Sequence, residues 1–147
     1  MHAQKDYEEL LKLFGRYKVR YCVVGAFAAA LYSRPRFTKD LDIFVDPSPE
    51  NAKNILAALK DFGFGALKLK VGDFTKPGIV IQLGYEPVRI DLLTAIDGVT
   101  FNEVWKDKTR RSFGNCKVYF MGKRTLIRNK RASGRDRDLL DLKELKA

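Results

Sequence analysis

Histidine is nearly missing from this chain: His2 is the only one among 147 residues. Catalysis by a histidine-based triad is therefore excluded. Cysteine is almost as scarce. Cys22 and Cys116 stand far apart, with no Cys/His partners at metal-ligand spacing, so a zinc site is excluded too. Cys22 lies in the apolar run Tyr21–Val24 and reads as a buried, inert thiol, while Cys116 sits beside a Gly-Asn turn. No uncharged run is long enough to cross a bilayer, and Met1–Glu8 has no signal-peptide core, so a cytoplasmic protein without membrane attachment is expected. Acidic residues are outnumbered, 18 against 28 basic, for a net charge of +10 and a pI near 9.7. That excess favours polyanionic partners such as RNA, DNA or nucleoside triphosphates. It is concentrated between Lys106 and Arg131, where Asp107 is the only acidic residue.

What is present describes one ordinary globular domain over residues 1–147, with 46% hydrophobic and 31% charged residues. Leu10, Leu11 and Phe14 recur at helical spacing, predicting an amphipathic helix from Tyr7 to Tyr17 that stops near Gly15. Arg20–Val24 reads as a buried strand, Gly25 as a turn, and Ala26–Tyr32 as a helix. The segment Ser33–Phe37 breaks that helix and leads into a strand from Lys39 to Val45. Asp46–Glu50 is a helix-start signal, with Ser48 or Asp46 as cap, for a helix from Glu50 to Phe62. Alternation predicts strands at Leu67–Val71, Ile79–Leu83 and Val88–Leu93, the last two joined as a hairpin through Gly84–Pro87. A short helix at Thr100–Lys106 and a hairpin of Arg111–Phe113 with Lys117–Phe120 follow. Two helices, Lys123–Lys130 and Asp136–Leu145, close the chain.

The chemistry gathers in the strand Lys39–Val45. With a period of two, Leu41, Ile43 and Val45 face a core, and Asp40, Asp42 and Phe44 face the other way. Two carboxylates side by side on an apolar strand repel one another, and burial worsens the repulsion. A hard divalent cation removes it, and Mg²⁺ keeps coordination positions for phosphate oxygens. Asp91 is a third carboxylate in the middle of an apolar strand, sharing a face with Arg89 and Leu93. A strand, then Gly25, then a helix start is also the usual way to offer backbone N–H groups to a phosphate.

Three runs together, Val24-Gly25-Ala26, Arg36–Ile43 and Arg89–Leu93, resemble the DNA polymerase beta-type nucleotidyltransferase superfamily. The likeness is to its small prokaryotic branch, which includes the toxin-type enzymes of toxin–antitoxin systems, and the ending Lys130–Leu142 is similar to that branch's closing helix. The resemblance implies an α+β, two-layer fold: a mixed twisted sheet flanked by helices, with a closing C-terminal helical pair. It implies transfer of a nucleoside monophosphate from an NTP to an acceptor hydroxyl on RNA (a tRNA end included), a protein or a small molecule. Asp40, Asp42 and Asp91 would hold two Mg²⁺ ions, roughly 3.5–4 Å apart as in other two-metal sites. Asp91 would also take the acceptor proton. Gly25 and Ala26 would cradle phosphates, Lys130 and Arg135 would neutralise the triphosphate, Arg36 would touch phosphate or acceptor, and Thr38 would order the start of the acidic strand. A separate small protein, an antitoxin among the options, is a partner of many minimal members. Where the family has Gly-Gly or Gly-Ser, this chain has Gly25-Ala26, which keeps the N–H but loses a hydroxyl.

Plainer readings stand beside these. Asp91 could pair with Arg89, and Lys130 and Arg135 could belong to a solvated helix face. Asp138 and Asp141 read as partners for Arg135 and Arg137 at helical spacing. Phe27, Tyr32, Phe44 and Trp105 read as core, and Tyr85 as the better base-stacking candidate. A catalytically inactive nucleotide- or RNA-binding module of the same fold is the competing function.

Overall fold

The computed structural model describes residues 3–33, 40–84 and 88–146. Within them, six α-helices surround a six-stranded mixed sheet. The helices are α1 (Ala3–Arg16), α2 (Gly25–Tyr32), α3 (Pro49–Leu59), α4 (Phe101–Asp107), α5 (Lys123–Ser133) and α6 (Asp136–Lys146). The strands are β1 (Tyr21–Val24), β2 (Asp40–Val45), β3 (Val80–Leu83), β4 (Arg89–Leu93), β5 (Thr109–Phe113) and β6 (Cys116–Phe120). Their order across the sheet is β3-β4-β2-β1-β6-β5. The expected α+β fold is observed.

The central strands β1 and β2 pair antiparallel, Val24 lying opposite Asp42. Strand β4 runs parallel to β2, with Asp42 opposite Asp91 and Asp40 opposite Arg89. The middle of the sheet is apolar on both sides: Leu41, Ile43 and Val45 are inaccessible, and so is Phe44. The sequence places Phe44 on the strand face of the aspartates and reads it as core, and it is buried. In the fold, α4 covers that face and packs Phe101 edge-on against Phe44 at 5.3 Å. Only the end of β2 that carries Asp40 and Asp42 stays partly open to solvent.

Local signals account for the helix boundaries. Ser48 caps α3 by accepting from Asn51 N–H, with Pro49 at the first position. Thr100 and Glu103 form a capping box on α4. Asp107, at the end of α4, accepts from the backbone N–H and hydroxyl of Thr125 and so ties α4 to the first turn of α5.

One expected strand is not formed. Gly65–Leu67 and Val71–Phe74 are short 3₁₀ segments, and Lys68 between them is left-handed at φ 56°. The Leu/Lys alternation there reflects two anchors, Leu69 and Val71, packed against the core, while Leu67 is 50% exposed. Helix α3 also ends earlier than expected, at Leu59, and continues as a π-helical turn from Lys60 to Phe64 that Gly63 bends at φ 103°. The β3–β4 pairing is antiparallel as expected, but the connection at 85–87, including Tyr85, lies outside the described residues.

Candidate active site

The site forms where β1 ends, α2 begins and the first residues of β2 meet β4. Parallel register makes Asp42 and Asp91 direct neighbours on one face of the sheet, and the alternation of β2 adds Asp40 to the same face. Asp91 is buried, at 7% exposed, while Asp40 and Asp42 are half-buried. Burial, then the charges of Asp91 and Asp40, push the Asp42 carboxyl up to about 6. The three carboxylates thus share one face of the sheet, and the electrostatic cost of their proximity is visible at Asp42.

Gly25 is required here for two reasons. Its φ is +67°, a conformation that side-chain-bearing residues adopt at a cost. A Cβ at this position would also stand 2.6 Å from Asp42 Oδ2. The backbone that opens α2 thus runs against the central carboxylate, and Ala26 follows in the first turn, half-buried.

Arg89 shapes the other side. Its Nε donates to Asp91 Oδ1 at 3.1 Å and its second terminal nitrogen to Asp91 Oδ2 at 3.0 Å. Its remaining nitrogen is 4.0 Å from Asp40 Oδ2. Such a two-pronged guanidinium–carboxylate pair is among the stronger polar contacts available to side chains. The plainer reading of Asp91 therefore describes the structure. Among the described residues, no three ligand-type side chains converge on one point as they stand. The donor set nonetheless suits a hard cation: carboxylate oxygens only, crowded enough to lift Asp42. Arg89 supplies positive charge to this cluster and competes with a cation for Asp91. Tyr7, buried in α1, donates to the Arg89 carbonyl at 3.1 Å and helps fix that segment. In the sequence Tyr7 marks only a helix start, and nothing there links it to a strand 82 residues away.

Of the two C-terminal cations expected at the triphosphate, one is buried and one exposed. Lys130 is neither solvated nor turned outward: it is 5% exposed, with Nζ 3.1 Å from Asp138 Oδ1 and 2.8 Å from Asp141 Oδ2. Its charge is already balanced by two carboxylates of α6. Asp138 and Asp141 are accordingly buried partners of Lys130, not residues of an exposed helix face, although Asp138 also accepts from Arg135 at 2.7 Å. The side chain of Arg137 lies outside the described residues. Arg135 is the outward one, 75% exposed, and its charge reaches Asp42 and lowers that carboxyl against the other influences. Arg36 and Thr38 lie outside the described residues.

A family model described as "Nucleotidyl transferase of unknown function (DUF2204)" matches residues 3–147. No curated protein matches the chain. Among solved structures, the fold is similar to that of the lincosamide antibiotic adenylyltransferase LnuA in its lincomycin-bound form, with a TM-score of 0.55 and 16% identity over 97% of this chain and 96% of that one.

Proposed function

Because the chain belongs to this family of nucleotidyl transferases, we propose that it moves a nucleoside monophosphate from an NTP to an acceptor hydroxyl, with pyrophosphate as the leaving group. One observation carries the reading: the register that sets Asp42 beside Asp91, with Asp40 on the same face. These three side chains would hold magnesium, as two ions, which supplies charge neutralisation at the triphosphate and a more acidic acceptor hydroxyl. Asp42 holds the centre, because it is flanked by both other carboxylates and backed by the Gly25 backbone. Asp91 is the candidate base for the acceptor proton once Arg89 has let it go. Gly25 and Ala26 present the first N–H groups of α2 to phosphate oxygens. Arg135, exposed and within electrostatic reach of Asp42, is the cation for the triphosphate, in place of the neutralised Lys130. Arg36 and Thr38, close ahead of Asp40 in the chain, are further contacts to phosphate or acceptor. The similarity to a lincosamide adenylyltransferase supports ATP as one donor and a small hydroxylated molecule as one acceptor class, alongside RNA and protein hydroxyls.

The test uses NTPs labelled at the α or the γ position, with Mg²⁺ and a panel of total RNA, cell lysate and hydroxylated antibiotics. Transfer of the α label only, lost in Asp42→Asn, is expected. Transfer of the γ label would mean a kinase and would overturn the reading. NTP binding without any transfer across the panel would favour the inactive module, which the Arg89 grip on Asp91 and the missing hydroxyl at Ala26 motivate.

A further inference from the structure

A second concave feature lies at the other end of β1 from Gly25, and the chemistry above does not use it. It is a cleft of about 340 Å³ between the end of α1, the start of β1, α4 and the β5–β6 hairpin. Lys18, Arg20, Arg110 and Lys117 line it, interleaved with Trp105 and Tyr119, and among the described residues no carboxylate does. All four cations are exposed. Arg20 pairs with Asp46 at 3.3 Å, an adjoining concavity sets Lys18 and Arg20 beside Asp46 and Glu50, and the Lys117 ammonium donates to Ser112. Among the described residues no acidic side chain pairs with Lys18 or Arg110. Like charges gathered in one cleft focus a positive field that an arriving polyanion relieves.

Two details go beyond a generally basic surface. Lys18 closes α1 in the left-handed conformation at φ 56°, where glycine is the easy choice, while Val19 N–H bonds back to Phe14 at 2.9 Å. A lysine there costs backbone strain and gains a charge at the cleft mouth. The Arg20 guanidinium lies 5.0 Å from the Trp105 ring centre, with the Lys108 ammonium 4.0 Å from the same ring. An arginine plane held by an aromatic ring is a surface on which an unpaired base can stack. Blunting of the edge strand β5 would explain Arg110 alone. It does not explain why Lys18 and Arg20, from a different part of the chain, line the same cleft.

We propose that this cleft is a binding site for single-stranded nucleic acid, the four cations holding successive phosphates and the Arg20–Trp105 platform receiving a base. A groove of one charge sign with aromatic floors is the general form of such sites. The site is separate from the carboxylates and does not rest on the transferase reading.

Trp105 is the only tryptophan of the chain and therefore a built-in reporter. The experiment titrates the full-length protein with a 12-nucleotide single-stranded RNA, its DNA counterpart, the corresponding duplex and poly-glutamate, following Trp105 fluorescence and the anisotropy of a labelled strand. Single strands are expected to change Trp105 emission and to bind with an affinity that falls with salt. RNA and DNA arms show which sugar is preferred. The pair Arg110→Glu and Lys117→Glu should weaken binding at least about tenfold and flatten the salt dependence by about 0.7 for each phosphate no longer neutralised. The pair Lys53→Glu on α3 and Lys60→Glu in the turn after it, neither of which lines the cleft, with the same charge change, should leave affinity within about twofold. Circular dichroism and thermal melts confirm that both pairs fold, and Asp42→Asn should bind the strand as well as the parent does. Equal losses in the two charge-reversed pairs, poly-glutamate binding as tight as RNA, a preference for duplex, or silent Trp105 fluorescence would each overturn the proposal.

Discussion

At the scale of single residues, the account turns on Asp42. Burial and two neighbouring carboxylates raise its pKa to about 6 from an ordinary 3.8. The folded state therefore holds that proton more tightly than the unfolded chain does. Without metal, the Asp42 contribution to stability is full below about pH 4 and declines as pH climbs through 6. In chelator at pH 7.5, Asp42→Asn should thus be more stable than the parent by on the order of 2 kcal/mol, and equal to it near pH 4. Denaturant unfolding at the two pH values checks this, and a less stable variant at pH 7.5 would contradict it. Arg89 gives a second expectation at this scale. Its two bonds to Asp91 compete with any cation there. Arg89→Gln should tighten divalent binding by on the order of tenfold, a coupling of ordinary size. Calorimetric titration with Mn²⁺ measures it, and weaker binding in the variant would mean that Arg89 organises the carboxylates without guarding them.

At the scale of elements, the joint between α5 and α6 carries weight that their sequences conceal. Lys130 from α5 is buried between Asp138 and Asp141 of α6, and Ser133 and Arg135 add hydrogen bonds to Asp138. Removing the lysine takes the buried ammonium from Asp141 and leaves Asp138 only Arg135 as a cationic partner. Lys130→Met should cost about 3–5 kcal/mol of unfolding free energy. An unchanged denaturation midpoint would show that the ion pair is incidental. The same joint predicts an acid limb. Burial alone would raise the Asp138 carboxyl, but hydrogen bonds from Ser133, Arg135 and Lys130 outweigh it and hold the group down to about 2. A depressed carboxylate stabilises the fold above its unfolded pKa near 4 and loses that contribution as pH falls through 2. Acid titration followed by circular dichroism should show the loss, and Asp138→Asn should flatten it.

At the scale of the whole molecule, the sheet order explains which parts were legible in the sequence. Alternation in β2 and β4 put Asp40, Asp42 and Asp91 on definite strand faces, and parallel register turned that into adjacency. The Gly25 turn was legible because a strand-to-helix turn with a positive φ is local, whereas its close approach to Asp42 is set by the pairing of β1 with β2. What was not legible depends on packing between distant segments. Phe44 reads as core, but that α4 is the element covering it, through Phe101, is set by the fold. Lys130 is buried because α6 returns with two carboxylates. The Leu67–Val71 alternation mimics a strand because Leu69 and Val71 are core anchors in an irregular segment. The net charge of +10 pointed to polyanions, but only the fold places Lys18 and Arg20 in one cleft with Arg110 and Lys117.

The proposed transfer rests on three carboxylates from two neighbouring strands acting together on a divalent cation. Electron paramagnetic resonance of Mn²⁺, titrated with protein and a non-hydrolysable NTP, reads that directly. The parent protein should bind the ion with an affinity that the nucleotide strengthens. Asp42→Asn should lose at least about tenfold, or about 1.4 kcal/mol. Equal Mn²⁺ binding by parent and variant, or none by either, would contradict the account.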